Sequence, residues 1–180
     1  MVPLAAQSAY RAARDLGLSE SEAGDVVRTL MQASGGGGMI GGQLLDLKAE
    51  GSALSLDAME RVHRLKTGAL IAASVTLGAQ AARASVERCN ALAHYGAAVG
   101  LAFQIADDVL DVTATTDELG KTAGRDLALA KSTYPALLGI EGAIERARAL
   151  IDEACATLAA EGLLTPTLEQ LARYIVERRN

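Results

Sequence analysis

Between Pro3 and Pro135 the chain carries no proline, and beyond them only Pro166 remains. A proline inside a helix costs about 3 kcal/mol, so nothing in that long middle stretch forces a helix to stop. Alanine dominates and aromatic residues make up only 3%, which leaves few of the side chains that strands favour. The expectation is an all-α fold. With 180 residues, half of them hydrophobic, there is material for one core, and residues 1–180 are read as part of a single domain.

Local signals divide the chain into helices. Ser19 and Glu22 have the spacing of a capping box, followed by Val26, Val27, Leu30 and Met31 at helical intervals until the glycine run at Gly35. Leu56, Met59, Val62, Leu65 and Leu70 predict a second, long helix towards Ala82. Gly96 and Gly100, four apart, would let a neighbouring helix approach the backbone of the next segment. The stretch TATTDELGKTAG, 113 to 124, lacks periodicity and reads as a long loop. Beyond Pro135 a helix is expected around Ile144 to Ala159, then one capped by Thr165 with Pro166 at its first position.

Several function classes are disfavoured. A net charge of -5 without a Lys/Arg stripe argues against a nucleic-acid partner. No apolar stretch reaches the ~20 residues of a membrane span. The first residues do not read as a secretion signal. Cys89 and Cys155, 66 positions apart, suit neither a zinc site nor a disulfide framework and fit a reducing cytoplasm.

The run FQIADDVLDV, 103 to 112, carries Asp107, Asp108 and Asp111 among apolar residues. On a helix these three and Gln104 share one stripe about 100° wide, and the remaining arc is apolar enough to be sheathed by neighbours. Two carboxylates ~6 Å apart repel by roughly 3 kcal/mol at an effective dielectric near 20. Protons, solvent or a divalent cation could offset that repulsion, and Mg2+ suits a set of hard oxygens completed by water and phosphate. Cations follow the cluster: Lys121 and Lys131, with Lys66 breaking an apolar helix beside Thr67, Gly68 and Ala69. They point to a phosphate-bearing ligand.

Other motifs fail. GGGMIG at 36 to 41 has dinucleotide-binding spacing but follows a helix rather than a strand, and GKT at 120 to 122 lacks the first glycine of a phosphate loop. His63 and His94 read as structural, and Arg178 and Arg179 as solvated charges.

Five ordered blocks, GGQLLDLKAEG at 41, HRLKTGALI at 63, GLAFQIADDVLDV at 100, LGKTAGRD at 119 and KSTYP at 131, resemble the trans-prenyl diphosphate synthases, most of all the bacterial farnesyl diphosphate synthases. The resemblance implies an isoprenoid-synthase-type helical bundle around a central cavity, with Asp107, Asp108 and Asp111 matching a Mg2+-holding motif. It implies that Lys66 and Lys121 contact the allylic diphosphate and act with Asp107 on the leaving group, while Thr67 and Gln104 line the allylic site. The implied partners are an allylic diphosphate (dimethylallyl or geranyl) and isopentenyl diphosphate, and the implied assembly is a homodimer in the cytoplasm. The family's first aspartate-rich motif has no counterpart, since Asp15, Asp25, Asp46 and Asp57 are solitary. The chain is therefore read as the C-terminal half to two-thirds of such a domain, its N-terminal helices missing. A non-catalytic partner of a complete synthase and a terpene cyclase are the alternatives.

Overall fold

The computed structural model describes residues 2–113 and 132–178, and among these there is no strand. The helices are α1 (Val2–Asp15), α2 (Glu20–Ser34), α3 (Met39–Lys48), α4 (Leu56–His63), α5 (Ala69–Ala81), α6 (Val86–Thr113), α7 (Tyr134–Ala160) and α8 (Pro166–Glu177). A single π-helical turn, Arg64–Gly68, joins α4 to α5, so the long helix expected from Leu56 onward forms with one wide turn inside it. The all-α expectation holds over the described residues. The loop expected from Thr113 onward lies, after the end of α6, outside them, as do Lys121, Lys131 and Arg179.

The Ser19 capping box closes as its spacing demands: the Ser19 amide donates to Glu22 Oε2 at 2.7 Å and the Glu22 amide to Ser19 Oγ at 3.3 Å. That places α2 antiparallel to α1 over a small core of Ala13, Leu18, Ala23 and Val26. Thr165 caps α8 through the Leu168 amide at 3.3 Å, with Pro166 at the start of the helix. α7 consists of two helical stretches joined by a kink at Gly139, whose φ of 74° and ψ of 164° are non-helical and carry no Cβ penalty, so a short stretch from Tyr134 precedes the helix expected around Ile144.

The main core lies between α6 and α7, where Leu101, Ala102, Ile105, Ala143, Ala147, Ala154 and Leu158 are almost wholly removed from solvent. Alanine on both faces lets these two long helices pack closely. The Tyr95 hydroxyl, pushed up to about 12 by burial, donates to the Leu168 carbonyl at 2.7 Å and fastens α8 across them.

The glycine pair on α6 has the role its spacing suggested. A Cβ on Gly96 would stand 2.7 Å from the Ala72 Cα, and one on Gly100 2.7 Å from the Gly68 Cα. At both positions backbone meets backbone, and no side chain can turn aside. One departure is α3, which the sequence reading left without a helix. Glycine weakens helices, yet Gly42 sits where a Cβ would fall 2.2 Å from the Lys66 amide nitrogen, so packing against the π-turn overrides propensity.

Two outcomes are expected. Gly100→Ala should destabilise the fold by about 1–3 kcal/mol in urea denaturation, because the added methyl overlaps main chain that cannot relax, whereas Gly36→Ala should cost far less. Glu22 is held down from 4.5 to about 2, first by the Ser19 amide, then by the Ser19 hydroxyl and Arg83. Its contribution to stability is therefore complete above 4.5 and disappears as pH falls from there towards 2. The melting temperature of Glu22→Gln should accordingly change less across that acid range than that of the native chain.

Candidate functional site

One cavity of about 450 Å3 opens between α3, α4 with the π-turn, α6 and the start of α7. Its walls include Asp46, Lys66, Gln104, Asp107, Asp108 and Asp111. Five of the residues singled out in the sequence, Lys66, Gln104 and the three aspartates of α6, are thus brought together. Thr67 is half-buried in the π-turn and does not line this cavity. Lys121 lies outside the described residues.

The π-turn explains how Lys66 gets there. Its wider winding shifts the side chains of residues 64–68 relative to an α-helix, a distortion that recurs at functional sites. Gly68 then tucks beneath Gly100 of α6, so the turn carrying Lys66 lies directly against the turn of α6 that leads into Gln104. Lys66 Nζ donates to Asp46 Oδ2 at 2.7 Å, with the two side chains 33% and 18% exposed. Asp46 is a cavity residue that sequence reasoning dismissed as solitary. Its only sequence signal was its place in GGQLLDLK, one turn of helix after Gly42, the glycine that permits close packing.

The apolar arc beside the acidic stripe is sheathed along the first turns, where Leu101, Ala102 and Ile105 are buried, but Val112 is 37% exposed, so the sheath opens towards the end of α6. Its aspartates occupy unlike surroundings. Asp107 is half-exposed, while Asp108 and Asp111 are buried. Asp108 Oδ2 accepts the buried Tyr134 amide at 3.0 Å. This completes the first turn of α7: Pro135 has no N–H, the Ala136 amide donates to Thr133 Oγ1 at 3.3 Å, and the Leu137 amide to the Thr133 carbonyl at 3.1 Å. A carboxylate at that end also opposes the positive pole of the helix. Ser132 Oγ accepts the Leu54 amide at 2.8 Å, fixing the same wall of the cavity.

His63 also lines the cavity, with its ring tilted against Tyr134 at 5.7 Å between centroids. Burial, and after it the Glu60 carboxylate, push the Tyr134 hydroxyl well above the ordinary phenol range. Arg178 departs from expectation. It is no solvated charge: its side chain is 15% exposed, its Nη2 lies 3.6 Å from Asp107 Oδ1, and its guanidinium carbon stands 4.3 Å from the centre of the Phe103 ring.

Among the described residues no three His, Cys, Asp or Glu side chains converge into a ready metal cage. Magnesium does not require one, since it is usually held by one or two carboxylates with water and phosphate oxygens completing the shell. Asp107 and Asp111, four apart on α6, offer hard oxygen in the cavity that Lys66 also lines, a donor set that would suit Mg2+ with a phosphate-bearing ligand and not a zinc site.

A polyprenyl synthetase family model matches residues 4–165, and the chain belongs to that family. It is 50% identical over 165 residues to the farnesyl diphosphate synthase of Escherichia coli (strain K12), covering 89% of this chain and 55% of that relative. A geranylgeranyl diphosphate synthase of Cyanophora paradoxa is 41% identical, with 79% and 48% covered. Among solved structures, a geranyltransferase from Helicobacter pylori complexed with magnesium and isoprenyl diphosphate superposes with a TM-score of 0.75 at 31% identity, over 93% of this chain and 55% of that one. The chain spans about half the length of the curated relatives it matches.

Replacing Asp108 tests the account of α7. Asp108→Ala should cost about 1–3 kcal/mol in chemical denaturation, since it strands a buried amide, and Asp108→Asn should recover most of the loss because its carbonyl oxygen still accepts.

Proposed function

We propose that the chain is part of a Mg2+-dependent prenyltransferase that condenses dimethylallyl or geranyl diphosphate with isopentenyl diphosphate to a short-chain product such as farnesyl diphosphate. The observation that carries this reading is the convergence of Lys66, Gln104, Asp107 and Asp111 on one cavity. Family membership and the farnesyl and geranylgeranyl diphosphate synthases among its relatives support it.

In this reading residues 1–180 are the C-terminal portion of a single synthase domain. Lys66, and Lys121 by its match in sequence, bind the allylic diphosphate, while Gln104 and Thr67 belong to the allylic site. Asp107 and Asp111 hold the metal, and Asp108 completes the stripe while fixing the start of α7. When bound, Mg2+ would offset the charge that builds on the departing diphosphate. The allylic C–O bond breaks with its electron pair leaving on the diphosphate oxygen. The isopentenyl double bond then attacks the cation, and a proton is lost. The chain's own contribution is preorganised charge: Lys66, held at 2.7 Å by Asp46, is already in place for an anion before it arrives. No helix among the described residues is long and apolar enough to cross a membrane, which suits the proposed cytoplasmic setting. A homodimer is the proposed assembly.

Asp107→Ala should reduce Mg2+-dependent condensation of geranyl and isopentenyl diphosphates by about two orders of magnitude or more. Asp25→Ala, on the exposed face of α2, should change it little. Product formation by thin-layer or mass analysis decides, and equal losses from the two substitutions would refute the assignment.

A further inference from the structure

We propose that Arg178 sets the metal affinity of Asp107 by acting as a tethered competitor for its carboxylate, an inference that rests on the metal-and-diphosphate reading of the cavity. The residue sits beyond the last turn of α8 and reaches back to α6. Its guanidinium lies over Phe103, one residue from Gln104 and four from Asp107, and is largely withdrawn from solvent. A withdrawn guanidinium ordinarily spends its five N–H donors on acceptors. Among the described residues Nε and Nη2 are buried without a hydrogen-bond partner, and the approach of Nη2 to Asp107 Oδ1, 3.6 Å, is too long for one. The contact is therefore held by charge and by the ring face rather than by directed bonds.

Such a pair is built to exchange. A bidentate arginine–carboxylate fork would resist an incoming ion far more, because two short charge-assisted bonds would have to break. Asp107 is 45% exposed, so a hydrated cation can reach it from the cavity while Arg178 lies on its sheltered side. A divalent ion and a guanidinium beside the same carboxylate repel each other and share one neutralising charge. Metal binding must therefore weaken the Arg178 contact, and the Arg178 contact must weaken metal binding by the same factor. The backbone makes release inexpensive: Arg178 is the C-cap of α8, with φ −62° and ψ 149°, so its side chain can leave Asp107 without unwinding the helix.

The experiment is a calorimetric titration of Mg2+ alone into the 180-residue chain and its variants, near neutral pH and at low ionic strength. Arg178→Gln should bind Mg2+ about threefold to tenfold more tightly than the native chain, as expected for removing one partly screened charge pair. Arg178→Lys keeps the charge but loses the planar stacking on Phe103, and should fall between the two. Asp107→Asn should abolish the difference. Raising the salt should narrow it, which a purely structural role for Arg178 would not produce. If the native chain binds Mg2+ and Arg178→Gln binds it equally or more weakly, the inference is overturned while the reading of the cavity stands. If circular dichroism shows that Arg178→Gln does not fold, Arg178→Lys decides: tighter binding than native supports competition, and equal or weaker binding overturns it. Absence of Mg2+ uptake by every variant would overturn the metal reading together with the inference.

Discussion

Everything around the cavity depends on the contact of main chain with main chain where Gly100 of α6 meets Gly68 at the end of the π-turn. A Cβ at Gly100 would come within 2.7 Å of the opposing Cα, so the two helices lie as close as peptide backbones allow. That proximity brings a lysine on one helix within the same cavity as carboxylates on the other. Gly42 on α3 repeats the device against the amide of Lys66 itself, so the π-turn is gripped from two sides. The wide turn is then not a defect in a long helix. It is the shape that lets Lys66 and the two glycine contacts coexist.

The second constraint is charge. Five carboxylates, those of Asp46, Glu50, Asp107, Asp108 and Asp111, line a cavity in which like charges a few ångströms apart would repel by several kcal/mol if left to themselves. The fold gives three of them different partners. Asp46 takes the ammonium of Lys66, Asp108 takes the first amide of α7, and Asp107 lies beside the guanidinium of Arg178. Each contact also does structural work, tying α3 to the π-turn, α6 to α7, and α8 to α6. The polar wall of the cavity is therefore part of what fixes the helices, and an ion or diphosphate arriving there would enter a field already balanced by the protein.

Much of this was legible along the chain. The Ser19–Glu22 box, the Thr165 cap, the long proline-free helices and the Gly96–Gly100 approach surface are local or periodic signals, and each formed where its spacing placed it. The stripe of Gln104, Asp107, Asp108 and Asp111 was likewise a matter of helical geometry. What escaped were features decided by distant residues. α3 forms over glycines because its partner demands them. Asp46 is separated from Lys66 by 20 positions, and Arg178 from Asp107 by many more, so neither pairing had a spacing to read.

The sequence by itself determined the helical class, the ends of several helices and the common face of the acidic residues, because capping, proline placement and the 3.6-residue period act over a few neighbours. Only the tertiary structure decided that Asp107 and Asp108 have different partners, that the carboxylates of Asp46 and Glu50 join the stripe in one cavity, and that an arginine near the chain's last residues turns inward onto Phe103. The physical reason is that a charge's partner is chosen by distance and burial in the folded molecule, and neither quantity is written in the order of residues.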